Sequence, residues 1–181
     1  SAAAVGRYIK IIVAGENIIS LQADVPGQKL NKVLQAIPYV LEDELIDDVD
    51  DLYFAINKSN ETDTNYNVMV INKSYFLSIL SELENANIFA DEMFADYVLV
   101  ENNTLFIQQG SALLNTDVVS CSQSIENISL QLKGLENKIT IITTGQNIDK
   151  EKLLSSLDSN IKYTEVICEQ AELLCLVENS I

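Results

Sequence analysis

Short β-branched runs alternate with helical stripes along the whole chain, and that alternation limits the fold more than any other feature. RYIKIIVA (7–14) and NIISLQAD (17–24) are strand-like and flank the turn signal Gly15-Glu16-Asn17, a pattern that predicts a hairpin. After a break at Val25-Pro26-Gly27, Leu30, Leu34, Ile37, Leu41 and Leu45 recur every three or four residues, which predicts a helix from Gln28 to about Ile46. Val33 and Val40 widen the stripe, and Pro38 inside it predicts a kink. DLYFAINK (51–58) and YNVMVIN (66–72) read as strands on either side of the polar loop SNETDTN (59–65). KSYFLSILSELENANI (73–88) carries Phe76, Ile79, Leu80 and Leu83 at helical spacing. The first half is therefore β-β-α-β-β-α.

The second half repeats the theme. MFADYVLV (93–100) is apolar and fits either a strand or a short helix. TLFIQQGSALLNTD (104–117) reads as a hairpin turning at Gly110, and VVSCS (118–122) adds a strand. SQSIENISLQLKGL (122–135) reads as a helix ending near Gly134. KITIITTG (138–145) and IKYTEVI (161–167) read as strands, with helices over 147–158, capped by Asn147, and over 169–178. This order fits an α/β protein of two hairpin-led lobes, residues 1–90 and 91–181, better than one long doubly wound sheet.

Charge narrows the function classes. Eleven basic residues face 27 acidic ones, for a net charge of −16 over 181 residues, and Arg7 is the sole arginine. Phosphate recognition uses arginine and positive potential, so nucleic acid and anionic lipid are poor partners and a basic protein surface is a good one. The absence of histidine removes the usual general base and the commonest metal ligand. Cys121, Cys168 and Cys175 have no framework spacing and suit a reducing compartment, where they read as buried small apolar side chains. No run of about 18 apolar residues spans a membrane, and the first residues lack the basic-then-apolar order of a signal peptide.

The acids are concentrated. Glu42, Asp43, Glu44, Asp47, Asp48, Asp50 and Asp51 fall within ten residues, with no lysine or arginine between Lys32 and Lys58. The first three sit at the negative end of the predicted helix, where each costs a few tenths of a kcal/mol. The plain reading is a solvated helix end. The alternative is a negative docking face for a basic partner, which would explain why the cost recurs residue after residue. A calcium loop is disfavoured, because the run has no turn glycine and is interrupted by Leu45, Ile46 and Val49.

No phosphate loop, dinucleotide fingerprint or nucleophile elbow occurs, and without histidine the common Ser-His pairing is excluded. TTGQN (143–147) joins a strand to a helix and reads as a capped loop rather than an anion site, since no base lies close by. No catalytic residue, cofactor or metal is expected.

ADVPGQKLNKVLQAIPYVLEDELIDDVDDLYFAI (23–56) resembles the cytoplasmic domain of the type II secretion system protein L family. AIPYVLEDEL (36–45) stands for that family's ALPFLLEDEL and DDVDDLYFA (47–55) for its DVEDVHFA, with Tyr53 in place of the histidine. IIVAGENIISLQADVP (11–26) is similar to VVLLPGEDVLLTEVELP, with Ala14 for proline, and ADYVLV (95–100) stands at PDVLAL. The match runs from about residue 9 to 117, beyond which only the α/β order agrees.

The resemblance implies an actin-like (ribonuclease H-like) α/β fold that lacks a nucleotide site and serves as a scaffold, not an enzyme. It implies recruitment of the N-terminal domain of the secretion ATPase, the E protein, to the cytoplasmic face of the bacterial inner membrane. The rest of the full-length protein is expected to cross the membrane, contact the M protein and help form homodimers. The family normally has further N-terminal strands, so a soluble fragment of a longer chain, or a short relative, is expected.

Actin-like ATPases carry a D-x-G motif in a lobe-leading hairpin, whose aspartate serves magnesium and whose glycine admits the phosphates. Here Gln108-Gln109-Gly110 has the glycine and an amide in place of the acid, and Val13-Ala14-Gly15 also lacks the acid. The expected partner surface is Glu42, Asp43, Glu44, Asp47, Asp48, Asp50 and Asp51, with exposed edge strands as a second surface. The rivals are a divergent actin-like nucleotide hydrolase using Gly110 and a nearby acid such as Asp117, and a pilus-assembly adaptor of the same fold.

Overall fold

The computed structural model describes residues 6–26, 30–58, 64–108, 110–133, 135, 138–144 and 161–168. The expected helices over 147–158 and 169–178 lie outside the described residues. The elements are β1 (Lys10–Val13), β2 (Ile18–Asp24), α1 (Leu30–Val40), β3 (Leu52–Lys58), β4 (Asn65–Asn72), α2 (Lys73–Asn85), β5 (Glu92–Ala95), β6 (Thr104–Gln108), β7 (Ser111–Asn115), β8 (Ser120–Ser124), α3 (Ile125–Leu132), β9 (Ile139–Thr144) and β10 (Tyr163–Cys168). Two compact units contain them: Ser1–Ile11 with Asn17–Met93, and Ile12–Glu16 with Phe94–Ile181.

The expected β1–β2 hairpin does not form. β1 pairs with β5, and β2 pairs with β4. The β-branched alternation specified two strands but not their partners. Gly15–Asn17 makes a 3₁₀ turn rather than a two-residue hairpin turn. The Ile9 carbonyl accepts from the N–H of Asp91 and of Glu92, and the Asp91 carboxylate accepts from the Ile9 N–H, so β1 is drawn toward β5.

In the first unit β2, β4 and β3 form an antiparallel sheet in that order. Central β4 turns Tyr66, Val68 and Val70 into a core shared with Val33, Ile37 and Leu41 of the α1 stripe and with Leu52 of β3. The helix stops at Val40, short of the expected Ile46. Pro38 lacks an N–H for the ladder, and the acids that follow meet the helix's negative end. The chain tightens into a 3₁₀ turn over Glu42–Glu44 instead. On β4's far end, Asn72 caps α2, its side-chain oxygen accepting from the N–H of Ser74 at 3.0 Å.

In the second unit the strand order is β10-β9-β6-β7-β8. β6, β9 and β10 are parallel, while β7 and β8 are antiparallel additions. The expected β6–β7 hairpin is present, and Gly110 takes φ +89 at its turn, a conformation that side chains resist. Leu105, Ile107, Leu114 and Ile141 of the sheet pack with Ile128 and Leu132 of α3. MFADYVLV splits into β5 and a 3₁₀ turn over Asp96–Leu99. The helix expected from residue 122 begins at Ile125, because Ser120–Ser124 is already committed to the sheet. Cys121 is buried here, and burial pushes its thiol up to about 11.

Leu34 and Ile37 separate within one stripe. Ile37 is fully buried, whereas Leu34 is half-buried beside β3. Ile37→Asp is therefore expected to cost about 4 kcal/mol or more, since an unpaired carboxylate would enter the core. Leu34→Asp should cost much less. Urea unfolding of the two variants checks this, with the larger loss expected at Ile37.

Candidate functional site

The acidic segment is held by apolar residues at helical spacing. Leu41 and Leu52 are buried in the first unit's core, Leu45 packs against it, and Val49 is half-buried. Between them Glu42, Asp43, Glu44, Asp47, Asp48, Asp50 and Asp51 are all exposed. None of the seven forms an ion pair among the described residues. Two short turns keep the backbone satisfied. Leu41 accepts from Glu44 N–H at 2.9 Å, and the Asp48 carboxylate caps the Val49–Asp51 turn by accepting from Asp50 N–H at 2.9 Å. Lys73, at the start of α2, donates its ammonium to the backbone carbonyl of Asp50 and so pins the turn without neutralising a carboxylate. Ile46 stands wholly exposed among these charges. Among the described residues, no three acids converge as metal ligands.

The second unit has an open cavity of about 330 Å³ beside the β6–β7 hairpin. Gln108, Ser111, Ser122, Phe106, Glu16 and Asp96 line it. Gln108, an uncharged amide, ends β6 at this hairpin. The charged side chains in the lining are both carboxylates, a setting that repels phosphate. Asp117, the acid of the hydrolase rival, lies beyond the far end of β7 from Gly110 and accepts a hydrogen bond from Asn102 at 2.6 Å. A five-residue strand separates the two by roughly 17 Å, too far to share one phosphate.

Asp96 was not legible as a site residue in the sequence. Its Oδ1 accepts from Gly15 N–H at 3.0 Å, tying the turn after β1 to the turn after β5. Burial pushes its carboxyl above the ordinary value, helped by the charge of Glu16, and opposed by hydrogen bonds from the Gly15 and Tyr97 amides and from Ser122. Gly15 is required by this approach: an added Cβ would meet Asp96 Oδ1 at 2.5 Å and Tyr97 Cδ1 at 2.6 Å. The glycine thus serves close packing.

Gly15→Ala is expected to lower stability by about 1–3 kcal/mol in urea unfolding, because the displaced neighbours are an anchored carboxylate and a buried ring. The raised Asp96 pKa gives a signed pH effect. The folded state holds this proton more tightly than the unfolded chain, so this group's stabilisation is present at low pH and is lost as pH rises through the folded pKa. Asp96→Asn removes that slope. Its stability relative to the parent should therefore rise with pH from about 4 and level off above the folded pKa.

A family model for protein L of the type II secretion system (T2SS) matches residues 1–152. Comparison with curated protein sequences gives no match. Among solved structures, the cytoplasmic domain of EpsL, an inner membrane component of the type II secretion system of Vibrio cholerae, superposes with a TM-score of 0.74 at 14% identity, over 98% of this chain and 75% of that one. A Bacteroides thetaiotaomicron protein of actin-like ATPase fold and unknown function superposes with a TM-score of 0.50 at 10% identity, over 95% of this chain and 73% of that one. The fold is thus the actin-like α/β fold expected above. With its matched residues spanning most of the sequence, the chain belongs to the protein L family of the type II secretion system.

Proposed function

We propose that this chain is a non-enzymatic scaffold at the cytoplasmic face of the inner membrane, and that it recruits the secretion ATPase through that protein's N-terminal domain. The observation that carries the reading is the set of seven exposed carboxylates that make no ion pair among the described residues. Like charges kept in water and supported from beneath by Leu41, Leu45 and Leu52 form a surface fit to steer a basic protein. Membership of the protein L family and likeness to a cytoplasmic domain of an inner membrane component support the setting. The anionic lining beside Gln108 favours a scaffold over a nucleotide hydrolase.

Steering acts on encounter, so its signature is kinetic. Replacing Asp47, Asp48, Asp50 and Asp51 together by lysine is expected to slow association with the ATPase N-terminal domain about tenfold or more at low salt. The difference should shrink near physiological ionic strength, where the Debye length is roughly 8 Å. Stopped-flow association at the two salt concentrations measures it. Equal on-rates for parent and variant at low salt would rule the reading out.

A further inference from the structure

We propose that the outer edge of β3 receives an extended cationic segment of a partner protein, which adds a strand to the β2-β4-β3 sheet and seats its apolar side chains in the groove beside α1. This rests on the reading that the chain recruits a protein, and it specifies how the partner is held.

β3 is the last strand of its sheet among the described residues. Its pairing with β4 is unbroken from Leu52↔Asn72 to Lys58↔Tyr66. Every second residue of such a strand turns its N–H and C=O away from the partner strand. Natural edges are usually protected by proline, charge or a bulge. From Leu52 to Asn57, β3 has none of these.

A groove of about 460 Å³ opens along β3. Leu34, Leu52, Phe54 and Ile56 form its apolar wall, with Tyr53 and Lys73 completing the lining. Tyr53 is held by stacking on Phe76 with ring centroids 5.0 Å apart. An added strand would satisfy the outward backbone groups and place alternate side chains over Leu34, Phe54 and Ile56. A helix in the same groove would leave those backbone groups without partners.

The charge at the groove's end selects the occupant. Asp47, Asp48, Asp50 and Asp51 lead directly into Leu52, and all four are exposed. The Lys73 ammonium is engaged by the Asp50 carbonyl rather than by a carboxylate. A segment with lysine or arginine between apolar residues therefore complements the site in backbone, shape and charge. A second copy of this chain would bring another net charge of −16 to the same place.

The test uses the full 181-residue chain and a blocked peptide of alternating lysine and valine. Three controls accompany it: a glutamate-for-lysine version, and versions N-methylated at every valine or at every lysine. The lysine peptide is expected to bind and to slow hydrogen exchange at alternate β3 amides at least tenfold. The glutamate peptide should not bind, and only one of the two N-methylated sets should be tolerated, because a strand uses one edge. Leu34→Lys should weaken the peptide at least tenfold while lowering the unfolding midpoint far less than Ile37→Asp does.

Absence of peptide binding, binding without β3 protection, tolerance of both N-methylated sets, or pairing of two copies of the chain through β3 would each overturn the proposal. The ATPase N-terminal domain serves as a second probe. If it binds and leaves β3 unprotected, strand addition fails while recruitment stands. If it does not bind while the lysine peptide protects β3, recruitment of that ATPase fails while the docking edge stands.

Discussion

A highly charged segment stays on this protein because its apolar residues outweigh its charges. Full burial of a leucine contributes about 1.5–3 kcal/mol, and Leu41 and Leu52 are both buried in the core of the first unit. Two carboxylates 4 Å apart in water repel by about 1 kcal/mol, less at greater distance and in salt. The acids are all exposed, so they remain in that weak regime. Hydrophobic anchoring therefore sets the path of residues 41–52, and the repulsion is left over as a surface potential. The path in turn sets where β3 begins and which of its edges lies beside the groove.

The second unit has the strand framework of the actin-like fold. Three parallel strands, two antiparallel additions and a glycine-turned hairpin are in place. Gln108, Glu16 and Asp96 line the cavity beside the hairpin. Asp96 now acts inside the fold, fastening the turn at Gly15. A carboxylate that holds a backbone amide, next to a glycine with no room for a Cβ, is a packing device.

Much of this was legible in the sequence, for identifiable reasons. Periodicity located the strands β2, β3, β4, β6, β7 and β9 and the helices α1 and α2, because period 2 and period 3.6 are local properties. The family motif at 36–55 led to the right family and fold. Partners were less legible than elements. β1 looked like half of a hairpin with β2, yet pairs with β5, because pairing depends on residues more than 80 positions away, such as Asp91 on Ile9. The helix end was overrun because the leucine stripe continues to Leu45, although the α-helical ladder ends with the Leu41 N–H on the Ile37 carbonyl and the acids that follow take a 3₁₀ turn. Leu34 seemed equivalent to Ile37, and only the placement of β3 distinguishes them. Asp96 gave no signal beyond one acid in an apolar run.

A partner seated on the carboxylates after α1 would shield them from solvent. Carbodiimide-driven labelling of carboxyl groups, compared between the free chain and its complex with the ATPase N-terminal domain, reads that shielding residue by residue. Asp47, Asp48, Asp50 and Asp51 are expected to react readily in the free chain and to lose most of that reactivity in the complex. Unchanged labelling of these four residues in a complex shown to be fully formed would contradict it.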